Sequence, residues 1–457
     1  MISRRILLLP LLLLATDVAS AHVHLHSSRP ADGDTLQTSP QEVRLEFSGA
    51  VVVQYTTATL VGPDGGQIAT PDLEVVPDTG RREFAMPIER RLTRGEYAVN
   101  WRTTAADGHV MQGTITFFLD VEEEVPEPPV GDTEELPRPE AIEEARPTLA
   151  SAGPISTIAR FLHYLALLSL LGTLAFHYGV VGRMHRDPRV AARADAARRR
   201  TASLLTWATV LLAIVVPIRL WVQSAQLHGV ERSLDLQSIG VMLTHTIPGQ
   251  AWVLQVIGLV VLVVGLILVR QAVTGSTGWI VVGVAVLALT IVPALSGHAA
   301  AVENLTALAV SIHALHVVGA GVWLGTLAVL LLVGLPLAAG ARAGERMRTL
   351  AATISLFSPV ALGGVALAGV TGIINAVFHL TAVSDLWQTD YGVGLLVKLG
   401  ALAVAMALGF YHWRAVLPRL EEEDSPARFR RTAGAELFFG VLVLLATAAF
   451  VGMPTPY

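Results

Sequence analysis

The sequence predicts an exported all-β sandwich joined by an acidic linker to an α-helical bundle of eight transmembrane helices. Short β-rich runs separated by turn residues occupy the first 120 positions, and eight long apolar runs follow position 154. The composition agrees, because 53% of the 457 residues are hydrophobic and 15% are charged, whereas soluble domains carry about 25% charged residues.

Residues 1–21 are typical of a signal peptide. Arg4 and Arg5 form the positive start, residues 6–14 form a short apolar run, and residues 19–21 form a small-residue cleavage pattern. The apolar run is shorter than the roughly 20 residues that cross a bilayer; an uncleaved anchor is the alternative. Cleavage after Ala21 makes His22 the first residue of the mature chain.

Residues 22–120 are predicted to form the β-domain. In the turn Pro63-Asp64-Gly65-Gly66, proline presets one backbone φ angle and glycine accepts a positive one. Trp101 is expected in the core of the sandwich. The predicted strands lie at 43–47, 57–61, 83–88, 96–103 and 114–119.

Residues 121–153 are predicted to be a linker. Between positions 121 and 147 the chain has ten acidic residues and six prolines. Such a segment buries too little apolar surface to fold, and its charge and proline content keep it extended. The remaining residues, 154–457, are predicted to form the membrane domain.

The arginines of the membrane domain predict its orientation. Sixteen arginines lie in the loops after the first, third, fifth and seventh spans, against one, Arg232, in the opposite loops. Because basic residues are retained on the cytoplasmic side, we expect an inner-membrane protein whose β-domain and C-terminus are periplasmic. The spans are placed at about 158–181, 204–223, 251–269, 279–296, 307–334, 354–378, 393–412 and 435–451.

Three features of the composition exclude several classes of function. The chain has no cysteine, which excludes disulfides and thiolate metal sites. Its one lysine, Lys398, is followed by Leu399, so it fits neither a phosphate-binding loop nor a phosphorylated-aspartate pump. The net charge of −5 gives no global basic surface, and no nucleic-acid partner is expected.

Of the fourteen histidines, most lie on the extracytoplasmic side of the predicted topology. His313 and His316 are three apart on one helix and share a face, His163 lies at a comparable depth in the first span, and His298 lies in the loop before the fifth. Polar groups at such depth tend to face the bundle interior and mark pathways or cofactor sites. The alternative for each is a hydrogen bond to a neighbouring carbonyl.

The mature N-terminus is a candidate metal site. His22 supplies a free amine and a ring nitrogen, while Asp107 and His109, in a turn between two predicted strands, supply a carboxylate and a second imidazole. This donor set suits Cu(II). His24, third from the free amine, offers a competing arrangement of amine, two backbone amides and its own imidazole.

These motifs resemble known copper-protein families. The segments HVHL at 22–25, SRPADG at 28–33, WRT at 101–103 and DGH at 107–109, with Gly113, resemble the CopC family of periplasmic copper-binding proteins. The membrane region is similar to the CopD family of inner-membrane copper proteins. That similarity rests on SGHA at 296–299, HALH at 313–316, WLG at 323–325, Phe357-Ser358, the stretch from Tyr391-Gly392 to Lys398-Leu399, and Pro454.

The resemblance implies a cupredoxin-like or immunoglobulin-like sandwich with a Cu(II) site. Its ligands would be His22, Asp107 and His109, with His24 assisting. Some relatives carry a methionine-rich loop that binds Cu(I), whereas this domain has only Met86 and Met111, so no separate Cu(I) site is expected in it. The implied role is copper import, homeostasis or resistance.

The predicted function is non-enzymatic: capture of Cu(II) outside the membrane and transfer of copper to or across the bundle, with the β-domain docking on its own membrane domain. The candidate membrane path comprises His163, His298, His313 and His316. Two alternatives stay open. One is a haem- or copper-dependent redox protein, in which His163 and His316 would ligate haem, and the other is a non-transporting copper chaperone for oxidase assembly.

Overall fold

The computed structural model describes two regions of regular structure, a β-domain and a helical bundle. The described residues are 23–105, 110–121, 153–271, 276–301, 305–342, 345–380, 382–416 and 425–452. The signal-peptide and linker predictions, residues 1–21 and 121–153, fall almost entirely outside them.

The described residues of the β-domain form nine strands. They are β1 (Leu25–Arg29), β2 (Asp34–Leu36), β3 (Glu42–Phe47), β4 (Thr57–Val61), β5 (Gln67–Ile68), β6 (Glu74–Val75), β7 (Glu83–Pro87), β8 (Gly95–Thr104) and β9 (Val110–Leu119). One sheet has the order β1-β3-β7-β6 and the other has the order β2-β9-β8-β4-β5. The predicted sandwich is confirmed, and its five predicted strands are β3, β4, β7, β8 and β9.

Alternation along the strands builds the core of the sandwich. On β3, Val43, Leu45 and Phe47 are buried while the residues between them are more exposed. Trp101 lies in the core as predicted, with its ring centroid 5.5 Å from that of Phe47. Gly113 is its cross-strand partner, and a Cβ there would lie 2.6 Å from the indole Cζ2, so the strand passes the ring only because this residue is glycine.

In the part of the bundle that the structure describes there are fourteen α-helices, some joined end to end by π-helical turns. The α-helices are α1 (Pro154–Phe176), α2 (Gly182–Met184), α3 (Ala194–His228), α4 (Leu236–His245), α5 (Ile247–Gln271), α6 (Thr277–Leu289), α7 (Ile291–Leu295), α8 (Thr306–Ala320), α9 (Thr326–Val329), α10 (Leu335–Ala339), α11 (Arg346–His379), α12 (Asp385–Gln388), α13 (Asp390–Tyr411) and α14 (Ser425–Phe450). The π-helical turns are His177–Val181, Gly321–Gly325, Leu330–Gly334 and His412–Val416.

Eight helical stretches in the described part of the chain are long and apolar enough to cross a membrane, and each overlaps one predicted span. They are Pro154–Met184, Ala191–His228, Ile247–Gln271, Thr277–Leu295, Thr306–Ala339, Arg346–His379, Asp390–Ala415 and Ala427–Phe450. Because the stretches alternate in direction, the bundle has two ends. We call the end that carries the loops 184–191, 271–277, 339–346 and 415–427 the arginine-rich end, and the other the outer end.

The first span lies at the centre of the bundle. Helix α1 packs against α3, α14 and the π-helical turn Gly321–Gly325. Its closest approach is at Gly172, where a Cβ would lie 2.1 Å from the backbone carbon of Gly325. This crossing therefore depends on two glycines that let the backbones touch.

Candidate functional site

The first described residues, from Val23 onward, pack against the sandwich. Val23 is buried, and the backbone N–H of His24 donates to Ser48 Oγ over 3.0 Å while the Ser48 N–H donates to the His24 carbonyl over 2.9 Å. The Ser48 hydroxyl also lies 3.1 Å from His24 Nδ1. The His24 ring is exposed, with its centroid 6.5 Å from that of His26.

The other predicted ligands of the soluble site, His22, Asp107 and His109, lie outside the described residues. Their flanking backbone is described. The loop that holds Asp107 and His109 leaves β8 after Thr104, whose carbonyl accepts from the Val52 N–H over 2.9 Å, and Ala105 forms a β-bridge with Val51.

One segment, Ser48–Val52, therefore joins the two flanks of the predicted copper site. Ser48 is bonded to His24, and Val51 and Val52 are bonded to the last residues before the loop. Three residues of chain span at most about 10 Å. The residues that bond to His24 and to the end of β8 are thus separated by a very short stretch of chain.

His163 is buried in the bundle beside an arginine. Nη1 of Arg219 donates to Nδ1 of His163 over 2.9 Å and to Oε1 of Gln255 over 3.0 Å. Because guanidinium has no acceptor, His163 Nδ1 must accept, and the ring is neutral with its proton on Nε2. His163 therefore faces α3 and α5, where a positive charge stands beside it.

His316 faces a different helix. Its Nδ1 lies 3.0 Å from the carbonyl oxygen of Ala368 on α11, and since a carbonyl only accepts, Nδ1 carries the proton and Nε2 keeps its lone pair. A Cβ at Gly372 would lie 3.1 Å from the His316 ring, so the glycine makes room for the imidazole.

The four predicted path histidines are not brought together as one metal site. His313 is half-buried one turn before His316, and His298 begins the 3-10 turn His298–Ala301. Among the described residues, no three His, Cys, Asp or Glu side chains lie close enough to hold one metal ion. His163 and His316 bond to different helices, α3 and α11.

The β-domain touches the outer end of the bundle at Tyr55 and His228. His228 Nδ1 lies 3.0 Å from the Ser224 carbonyl oxygen, so it donates, and Nε2 accepts from the Tyr55 hydroxyl over 2.9 Å. The two rings meet edge to face with centroids 5.1 Å apart. Partial burial raises the pKa of Tyr55 to about 12, so the phenol is protonated at neutral pH.

A polar cluster near the arginine-rich end was not among the sites predicted from the sequence. His412 and Glu436 are both buried and lie 2.9 Å apart, and Trp323 Nε1 donates to the same carboxylate over 3.2 Å. The signal was present: Glu436 is an acidic residue inside the eighth predicted apolar run, and ionisable residues in spans are functional candidates.

Comparisons with known protein families divide the chain as the fold does. Residues 25–120 match the family described as CopC domain, residues 151–308 match Copper resistance protein D-like, N-terminal domain, and residues 351–450 match Copper resistance protein D. His313 and His316 lie between the last two matches.

Individual relatives agree with these families. Copper transport protein CutJ of Bacillus subtilis (strain 168) is 26% identical over 99% of this chain and 77% of its own length. Copper resistance protein C of Pseudomonas syringae pv. tomato is 31% identical over 23% of this chain and 86% of its own, and Protein YobA of Escherichia coli (strain K12) is 29% identical over 23% and 85%. The chain belongs to the CopC/CopD copper resistance family, as a copper-related, multi-pass membrane protein with a CopC domain ahead of a CopD-type helical region.

Proposed function

We propose that this protein captures Cu(II) outside the cytoplasmic membrane with its β-domain and passes copper to its own membrane bundle. Copper is the cargo, and no catalytic step is assigned. The relationship of Ser48–Val52 to both flanks of the predicted site carries the proposal, because it anchors the N-terminus and the loop within a few residues of each other.

The proposed capture site consists of the His22 amine and ring, the Asp107 carboxylate and the His109 ring. Nitrogen and oxygen donors in a tetragonal arrangement suit Cu(II). Support comes from Val23, which follows His22 in the sequence and is buried in the β-domain. Exposed His24 lies within two residues of that amine and would assist when the loop ligands are absent.

The proposed transfer requires the β-domain to dock on the outer end of the bundle. The hydrogen bond from Tyr55 to His228 supports docking, and Tyr55 is three residues from Val52, which is bonded to the strand that leads into the copper loop. A linker of about 30 residues reaches roughly 30 Å as a flexible coil, which permits docking on the same chain.

In the bundle, His163, His298, His313 and His316 remain the proposed outer path. His316 Nε2 keeps a lone pair for a metal ion, whereas His163 Nδ1 is already bonded to Arg219. Since the chain has no phosphate-binding loop, inward movement of a cation would draw on the membrane potential, worth about 2.3 kcal/mol per charge per 100 mV.

The proposal is tested by cellular copper content. Cells with and without the protein are grown at scarce and at excess copper, and total copper is measured by mass spectrometry. We expect the protein to change copper content, and we expect Asp107→Ala combined with His109→Ala to reduce that change. His185→Ala, an exposed histidine at the arginine-rich end, is the matched control. Copper content that is the same with and without the protein would contradict transport.

A further inference from the structure

A cavity of about 590 Å³ near the arginine-rich end contains one acid–base pair. Its polar lining includes Glu436 and His412, and its apolar lining includes five aromatic side chains. These are Trp323, Phe357, Phe410, Trp413 and Phe429. Two of the chain's sequence motifs meet here, since Trp323 belongs to WLG at 323–325 and Phe357-Ser358 lines the wall.

Local backbone features hold the pair in place. A Cβ at Gly409 would lie 3.1 Å from Glu436 Oε1, so α13 lets the carboxylate approach at that glycine. His412 follows three residues later in the π-helical turn His412–Val416, and Trp323 lies in the π-helical turn Gly321–Gly325. Such turns are frequent at functional sites in helices.

Glu436 differs in burial from the other carboxylates of the eight spans. Asp195 and Asp390 are the other carboxylates in these stretches, and both are exposed near span ends. Glu436 is thus the one buried carboxylate that a cation moving through the spans could meet. Buried ionisable groups in membranes are costly and commonly mark ion or proton pathways.

The hydrogen bonds indicate that the pair holds a proton. Thr432 donates its hydroxyl hydrogen to the Arg428 carbonyl over 2.9 Å, so its oxygen accepts from His412 Nε2, 2.5 Å away. His412 Nδ1 lies 2.9 Å from Glu436 Oε2. With Nε2 donating to Thr432, one further proton lies between Nδ1 of His412 and Oε2 of Glu436, and the pair is neutral overall.

The same geometry suits a metal ion in place of that proton. Transition metal ions lie roughly 2.0–2.2 Å from imidazole nitrogen and carboxylate oxygen. With His412 Nδ1 and Glu436 Oε2 2.9 Å apart, an ion bonded to both would see them at about 90°, the angle between neighbouring ligands in tetragonal Cu(II). Two protein ligands plus water make a weak site, as a transit site must be if the ion is to leave again.

We propose that His412 and Glu436 form a cation-exchange site near the arginine-rich end, which holds a proton when empty and one Cu(II) ion in its place. Binding forms Cu–Nδ1 and Cu–Oε2 bonds and releases that proton to water, so the pair changes from neutral to a net charge of +1. The inference rests on the proposed function for the identity of the ion.

No other ionisable side chain lines this cavity among the described residues. Arg414, two residues from His412, and Arg431, five residues from Glu436, lie on the same two helical stretches and are exposed. The spans packed across the cavity carry their ionisable side chains outside it. These are His313 and His316 on α8, and Arg346, Arg348 and His379 on α11.

The test uses the full-length protein in lipid nanodiscs, titrated with Cu(II) against a competing chelator. Every protein carries His22→Ala, His24→Ala and His109→Ala, which together remove the proposed soluble site and the competing His24 arrangement from the count. We expect Glu436→Gln and His412→Gln each to bind one Cu(II) fewer per chain than the parent, and His185→Gln to bind the same number. Equal stoichiometry and affinity in the parent and both site variants would overturn the proposal.

A second measurement keeps His412 and Glu436 intact, so it does not depend on whether variants of these two residues fold. Exchange of one proton for one ion predicts release of about one proton per Cu(II) bound. Binding without proton release would overturn the exchange. If the protein releases about one proton per Cu(II) bound but does not transport copper in cells, the proposed function is contradicted and the His412–Glu436 site is not.

Discussion

Arg219 Nη1 lies 2.9 Å from Nδ1 of His163 inside the membrane bundle. The guanidinium donates, the imidazole accepts, and Gln255 supplies a second acceptor 3.0 Å away. The histidine is therefore part of the solvation of a buried charge. The hydrogen bond stabilises the buried Arg219 guanidinium. A copper ion in the path would have to bind His163 through Nε2.

Replacing His163 by phenylalanine should destabilise the bundle, because the Arg219 guanidinium loses an acceptor. Hydrogen bonds to charged groups contribute about 1.5–3 kcal/mol. The double variant His163→Phe, Arg219→Met should be more stable than His163→Phe alone, since it removes the charge as well. Thermal unfolding in detergent measures both. A double variant less stable than the single one would mean that the two residues are not coupled.

The crossing of Gly172 and Gly325 predicts a sharp difference between two glycine substitutions. Gly172→Ala puts a Cβ 2.1 Å from the Gly325 backbone, so the central helix α1 must shift and the folded yield should collapse. Gly363→Ala meets nothing within 4 Å and should be neutral or stabilising by about 0.5–1 kcal/mol. Monodisperse yield and melting temperature compare them. Similar behaviour of the two variants would contradict the crossing.

Tyr55→Phe should weaken contact between the β-domain and the bundle. One hydrogen bond contributes about 1 kcal/mol, which corresponds to a roughly fivefold shift from docked to undocked. Because the chain has no cysteine, a cysteine pair introduced at exposed Gln54 and Gln237 can report the contact by crosslinking. Tyr411→Phe is the control, since Tyr411 is 43% exposed.

The pH dependence of this contact follows from the raised pKa of Tyr55. Its contribution is complete below the ordinary tyrosine pKa, about 10, and is lost as the pH rises through about 12. A decrease in crosslinking below pH 9 that occurs with Tyr55 and not with Tyr55→Phe would contradict this assignment. The Tyr55→Phe variant isolates that step, as it has no phenol at this position.

Periodic features of the fold could be predicted from the sequence, and partnerships between distant residues could not. Alternation along β3 and the apolar runs are local patterns, so the sandwich and the number of spans follow from them. His163 and Arg219 are 56 positions apart, and Trp323 and Glu436 are 113 apart. Nothing local links such pairs, because helix packing brings them together. Short strands such as β5 and β6 carry too few residues for alternation to show.

In the proposed function, copper is captured by the mature N-terminus together with Asp107 and His109. The most direct measurement is the Cu(II) affinity of the mature protein with and without one glycine added before His22. The added residue moves the amine away from the His22 ring, so affinity should fall by more than the roughly 10–100-fold typical of losing an outer-shell partner. Unchanged affinity would show that the amine is not a ligand and would contradict the account.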